Sequence, residues 1–426
     1  MDELKALRAL ATELGVHTRY TDGLGKKVTV GPETLIRVCA ALGAPVTAFS
    51  DAGKALHEYR TTHTGGLSPV IVAWNGVLPP PQRRVASPRR EGDEERRKRR
   101  REVQLESGER LPLDNRPLPM GYHRLSAGNT TCTVISAPTE AWRRPGSHRS
   151  WGVGTQVAAL RSRRSRAVGD LQDLESLCRW LRERGGDLVT ALPLLPTFNS
   201  NHPEPSPYSP VSRLFWSELM LDLEQGHKPV GDVTMLDVTR ADAEVRAALA
   251  GRPIPDGALD GELVRYAHFR GAQKRLGRNW RDWPAAARAG KLGVEHLDVE
   301  EERFHLVAQT LVRGQLQGLR ERLDPTGMRL GLDLAVGVHP DGYDPWSRQT
   351  LFSDGMSVGA PPDPGFPSGQ DWGFAPVLPA ASRLEGHRYL AASIGHQASV
   401  AGVLRVDHVM AWTRLYVIPH GLPLAE

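Results

Sequence analysis

GDLQDLESLCRWLRERGGDLVTALPLL, residues 169–195, decides the fold class. Its first half places Leu171, Leu174, Leu177, Cys178 and Leu181 on one face of a helix. Its end, DLVTALPLL, is the continuous apolar run of a strand buried on both faces, as in a parallel sheet. With WGVGTQVAAL (151–160) upstream, the order is strand, helix, strand: a βαβ unit. Two later runs, GMRLGLDLAVGV (327–338) and AGVLRVDHV (401–409), each follow a helical stretch and read as further parallel strands. Four such strands suit either a barrel or an open α/β sheet. No GxGxxG or GxxxxGK[ST] follows any of them, which argues against a dinucleotide or phosphate-loop site.

The chain ahead of this unit has a different texture. Residues 3–14 put Leu4, Leu7, Leu10 and Leu14 on one helical stripe, and GPETLIRVCAALG (31–43) repeats the pattern. Pro32 sits where a first helical residue is favoured and Gly43 where a C-terminal cap is wanted. A helical domain over 1–62 is expected. VIVAWNGVL (70–78), with its Asn75-Gly76 hairpin signal, and TTCTVISAP (130–138) predict a β-sandwich over 63–142. Between its strands lies a basic loop, 83–110, and the remaining residues, 143–426, hold the parallel α/β region.

With 426 residues, the chain has room for a real core in each of these regions. Cys39, Cys132 and Cys178 are far apart, odd in number and free of CxxC or His-Cys clustering, so neither a disulfide framework nor a zinc site is predicted. A cytoplasmic protein without metal or cofactor is expected. The opening stretch, MDELKALRALATELGV, lacks the apolar core of a secretory signal, and no run is long enough for a spanning helix. The net charge of +5 owes much to RREGDEERRKRRRE, 89–102, whose like charges repel and stay solvated. Without interleaved aromatics that segment predicts no nucleic-acid site.

In parallel α/β folds the chemistry collects at and beyond the C-terminal ends of the strands. There the sequence places Tyr208 in PTFNSNHPEPSPYSPVSRLFW (196–216), Asp341 in HPDGYDPW, Gln370 and Trp372 in GQDWG, and Arg405, Asp407 and His408. Aromatic rings, carboxylates and amides with no phosphate cradle describe a sugar pocket. Along a strand residues two apart share a face, so Arg405 and Asp407 point the same way and the arginine favours the ionised aspartate. That suits the nucleophile of a retaining glycosidase. Each residue alone also has a plain structural reading: ion pair for Arg405 and Asp407, packing for Tyr208, a core cap for Trp372, a turn for Asp341. His396 has no partner in its motif and is read as structural.

Taken together, SPYSPVSRLFWSEL, LDLAVGVHPDGYD, GQDWG and GVLRVDHVM resemble, in order, the barrel motifs of the amylomaltase family, the bacterial 4-α-glucanotransferases. LRALATELGVHTRYTDGLGKKVTVGPETLIRVCAALGAP and LPMGYHRLSA resemble that family's N-terminal helical and β-sandwich regions. The resemblance implies a (β/α)8 barrel and a metal-free enzyme passing a segment of an α-1,4-glucan to the 4-hydroxyl of another glucan or glucose. It implies Asp407 as catalytic nucleophile, Arg405 as its charge partner, and Tyr208, Asp341, Gln370, Trp372 and His408 as substrate contacts. Ala335 stands where the family has proline, and Ala411 where glycine follows VDHVM. The family's GE(D/N)LG and THD motifs, which bring the acid/base glutamate and a further aspartate, occur nowhere in the sequence. The expectation is therefore a chain with about half the barrel, inactive alone, whose missing half is a possible separate partner. The alternatives are a non-catalytic glucan-binding remnant, with the charged loop engaging a partner, and an α-glucan hydrolase. No membrane or nucleic-acid partner is expected.

Overall fold

The structure, a computed structural model, describes residues 2–63, 68–80, 102–113, 116–127, 130–143, 149–164, 166–199, 203–204, 206–223, 235–255 and 260–424. The chain divides into two compact units. One comprises Met1–Tyr20, Thr29–Ser147 and Val377–Tyr389; the other comprises Thr21–Val28, His148–Pro376 and Leu390–Glu426.

In the first unit three helices, α1 (Glu3–Glu13), α2 (Pro32–Ala41) and α3 (Ala52–His63), enclose their own core of Leu7, Leu10, Leu35, Cys39, Val46 and Leu56. Asp2 caps α1 by accepting from Leu4 N–H at 3.1 Å, and Pro32 occupies the first turn of α2. Five strands follow: β1 (Val70–Trp74), β2 (Glu102–Gln104), β3 (Arg110–Pro112), β4 (Gly121–Ala127) and β5 (Thr130–Ala137). They form one sheet in the order β1-β5-β4-β2-β3. Where a sandwich of two facing sheets was expected, the described residues here build a single sheet. Asn75 and Gly76 take the left-handed backbone that a tight turn requires, φ 50° and 80°, and among the described residues the turn closes one bridge, Trp74 to Val77. β1 pairs instead with β5, in parallel. The basic segment 89–102 lies, but for Glu102, outside the described residues. The end of the expected loop, 102–110, enters a hairpin because Val103 and Leu105 are buried.

In the second unit β6 (Gly152–Thr155), β7 (Leu188–Ala191), β8 (Arg329–Leu334) and β11 (Val403–Val406) form one parallel sheet in the order β11-β8-β7-β6. These are the four runs read as strands from the sequence. Between β6 and β7 runs α4 (Leu171–Arg182). Asp170 accepts from the N–H groups of Gln172 and Asp173, both at 3.0 Å, and Asp173 Oδ2 accepts from Asp170 N–H, so three backbone donors are satisfied at once. Leu171, Leu174, Cys178 and Leu181 face the core with Val189, Leu330 and Leu332. Between β7 and β8 come α5 (Val238–Leu249), α6 (Gly261–Leu276) and the long α7 (Val299–Leu323). Burial pushes the Cys39 and Cys178 thiols up to about 11 and about 12, so both are packing residues and not thiolates.

The chain beyond β8 and beyond β11 builds a second, antiparallel sheet. β9 (Met356–Ala360) pairs on one side with β10 (Gln370–Phe374) and on the other with β12 (Tyr416–Pro419). This pairing brings segments about 45 residues apart in sequence, 370–374 and 416–419, into one layer. Among the described residues no helix is long and apolar enough to cross a membrane.

Candidate active site

The site grows from a charged residue that sequence reasoning passed over. Asp333, at the end of β8, is buried in a run that is otherwise apolar and lies directly across the ladder from Arg405 on β11. A buried carboxylate must be paired or hydrogen-bonded. Asp333 Oδ2 accepts from Arg405 Nη1 and, at 3.0 Å, from the Tyr208 hydroxyl. The signal was in LGLDL: a lone acid inside a strand buried on both faces demands a partner.

Arg405 is shared. Its other terminal nitrogen donates to Asp407 Oδ1 at 3.1 Å, so one guanidinium bridges two carboxylates. The two differ sharply in access: the Asp333 side chain is 4% exposed and that of Asp407 is 45% exposed. Negative charge on Asp333, then on Asp407, raises the pKa of Arg405, which holds its proton throughout. Burial, followed by the Asp333 carboxylate, raises that of Tyr208, which stays a neutral donor. β11 ends at Val406, so Asp407 is the first residue past the strand, at the position where parallel α/β folds present reactive groups. Among the described residues Asp407 Oδ2 has no protein partner, and that oxygen is open to an incoming group.

Directly after it the backbone is strained. His408 adopts φ 45°, ψ 46°, a left-handed conformation that is uncommon outside glycine, and opens the short turn Val409–Trp412. Its ring meets Trp372 edge to face with centroids 4.9 Å apart, and Trp372 Nε1–H reaches Gln370 Oε1 at 3.4 Å. The second sheet thus places Gln370, Trp372 and His408 together, next along the chain to Asp407.

Asp341 stands in a different cluster. Its carboxylate takes Arg281 Nη1 at 3.2 Å and Arg278 Nε at 3.8 Å, and its N–H donates to His339 Nδ1 at 3.0 Å. Since Nδ1 accepts, the neutral His339 ring carries its proton on Nε2 and donates to Glu204 Oε2 at 2.9 Å. Burial and the adjacent Arg278 lower the pKa of His339. The loop bearing Tyr208 is locked to this one: Asp344 accepts from Ser212 Oγ at 2.6 Å and Arg213 N–H at 2.8 Å, and Tyr343 N–H donates to Val211 O at 2.8 Å. Side chains at Gly342 are excluded because a Cβ would run into Val211 O. His396, read as structural, is half-buried and stacked on Trp216 with centroids 4.0 Å apart. Among the described residues no group of three His, Cys, Asp or Glu could hold a metal ion.

The family model of 4-alpha-glucanotransferases, glycoside hydrolase family 77, matches residues 155–249 and 259–425. The chain belongs to this family. A 4-alpha-glucanotransferase of Mycobacterium tuberculosis strain H37Rv is 30% identical over an alignment spanning 98% of this chain and 67% of that protein. One from Haemophilus influenzae is 27% identical over 73% of this chain and 53% of that protein. Amylomaltase from Corynebacterium glutamicum has the same fold, with a TM-score of 0.78 over 99% of this chain and 68% of that one, at 23% identity. Amylomaltase from Streptococcus agalactiae, solved with acarbose, superposes with a TM-score of 0.54 over 65% of this chain. These matches do not show that the chain is a truncated, inactive fragment.

Proposed function

We propose that the chain carries the nucleophile and donor-binding face of a retaining 4-α-glucanotransferase acting on α-1,4-glucans in the cytoplasm. One observation carries the reading: Asp407 is half exposed at a strand end and held by an arginine whose other branch is fixed by the buried Asp333, which Tyr208 holds in turn. A carboxylate paired with a cation and oriented before substrate arrives is what nucleophilic attack at an anomeric carbon needs. Asp407 Oδ2 attacks that carbon, the glycosidic oxygen leaves with a proton from an acid, and a glycosyl ester forms; the 4-hydroxyl of a second glucan then displaces Asp407 and gives its proton to the conjugate base of that acid. Arg405 stabilises the carboxylate as it is released again. Trp372 offers a ring for stacking, Gln370, His408 and Tyr208 offer hydrogen-bonding groups to hydroxyls, and Asp341 is assigned to the substrate wall. The parallel sheet is read as the first four strands of a (β/α)8 barrel.

A retaining pair of carboxyl groups stands about 5–5.5 Å apart, one of them protonated. Asp333 does not qualify as that acid, since Arg405 and Tyr208 occupy its outer oxygen. We assign the acid to no described residue. The test is chosen to work without one. Fluoride leaves a glycosyl fluoride unprotonated, so α-maltosyl fluoride should load Asp407 even where no acid is present. Mass spectrometry of the digested protein should find one maltosyl unit on the peptide containing Asp407, absent in Asp407→Asn. An adduct elsewhere, or equal labelling of the variant, would sink the assignment. Glucose release from maltotriose by the same preparation reports whether an acid acts. Maltodextrin binding with neither reaction would mark a glucan-binding remnant.

A further inference from the structure

Residues Thr21–Val28 belong to the same compact unit as the candidate site. Asp22 is buried there and folds a tight turn onto its own carboxylate, Oδ1 accepting from Leu24 N–H at 3.0 Å and Lys26 N–H at 2.8 Å. Gly23, next in the turn, donates its N–H to Pro362 O at 2.8 Å. A Cβ at Gly23 would stand 2.8 Å from Asp363 Cβ and 3.0 Å from both Asp363 Cα and Pro362 O. The two backbones therefore touch at a point that only glycine admits without displacement.

What Gly23 touches is the start of the turn between β9 and β10. Asp363 Oδ1 organises that turn by accepting from Gly365 N–H at 2.7 Å and Phe366 N–H at 2.8 Å, and Gly369 N–H closes it on Phe366 O at 2.9 Å. Its base is held by ladder pairing of Ala360 with Gln370. The next residues are Gln370 and Trp372, and Trp372 meets His408.

We infer that Gly23 is a positioning residue for the candidate site. The tip of 21–28 braces turn 362–369 and, through β10, the face formed by Gln370, Trp372 and His408. The consequence for ligand affinity rests on the glucan reading; the bracing itself does not. A side chain at position 23 pushes on Asp363, and β10 shifts or loosens at its N-terminal end. Displacements well below 1 Å matter at a stacking face, because ring contact and hydroxyl hydrogen bonds must be satisfied together.

The test compares the whole chain with Gly23→Ala and with Asp22→Ala, which loosens the tip without overlap. Gly314→Ala, where a Cβ meets nothing within 4 Å, is the control. By hydrogen exchange, amides in 362–374 should exchange faster in both single variants and no faster in the control, with those of β7 and β8 unchanged. Titration with maltoheptaose should show binding weakened on the order of tenfold in both variants at nearly constant melting temperature. Unchanged exchange over 362–374 overturns the inference whatever the ligand does. So does faster exchange with unaltered affinity. Failure of the unsubstituted chain to bind maltoheptaose would count against the glucan reading, while exchange still decides the bracing.

Discussion

Two arginine–carboxylate clusters in the second unit are put to opposite uses. Around Arg278 and Arg281, the carboxylates of Glu204, Asp341 and Asp354 are all taken up by guanidinium groups, and His339 joins Glu204 to the backbone of Asp341. Around Arg405 one guanidinium also serves two carboxylates, but they differ sharply in access, one buried and one open. The first cluster ties the loops that carry Glu204, Asp341 and Asp354 to Arg278 and Arg281. The second leaves Asp407 Oδ2 without a protein partner among the described residues, beside the strained backbone of His408.

Breaking one contact group in each cluster should separate the two roles. Arg405→Ala leaves Asp333 buried with only Tyr208 and frees Asp407 to swing, so labelling by α-maltosyl fluoride should slow by roughly 10²-fold or more. Asp341→Asn keeps its shape and loses one charge among several, so labelling should fall by less than about tenfold. Equal losses in the two variants would erase the distinction between the clusters.

Acid should expose a third class of site, the buried histidines that serve neither cluster. Burial, then Arg270, pushes His305 down to about 3, and burial pushes His396 down to about 4. Both folded-state values lie below the unfolded value of about 6.5. The unfolded chain therefore binds more protons, and stability present above about pH 6.5 is lost as pH falls towards 4 and then 3. Each unit of depression corresponds to about 1.4 kcal/mol. Melting temperature should drop steadily from pH 6.5 to 4, and His396→Gln should flatten the slope. An unchanged slope would show that His396 is not the group that acid attacks.

The smallest effect is expected where nothing is touched. Gly314 lies exposed in the middle of α7 with open space around it, so Gly314→Ala should stabilise by up to about 1 kcal/mol through helix propensity alone. A lower melting temperature would mean that this face of α7 is covered in the working protein.

Much of this molecule was determined by sequence alone, and for local reasons. Leucines at helical spacing, the Asp170 cap, Pro32 at a helix start and four apolar runs all act within a few residues, and each produced the element that its pattern demands. Arg405 and Asp407 met because two residues apart on an extended chain share a face. Tertiary structure decided the rest. Asp333 became the anchor of the site through Arg405, 72 residues away, and Tyr208, 125 residues away, separations at which no periodicity carries information. Asn75-Gly76 formed its turn as written, but which strand β1 would pair with depended on β5, some 60 residues downstream, and the described strands there lie in one sheet. Gly23 looked like any turn glycine until Pro362 and Asp363 came to lie against it. Propensity and spacing choose elements because they act through the backbone next door. The partner of a buried charge, a strand edge or a missing Cβ is set by packing, which draws on the whole chain at once.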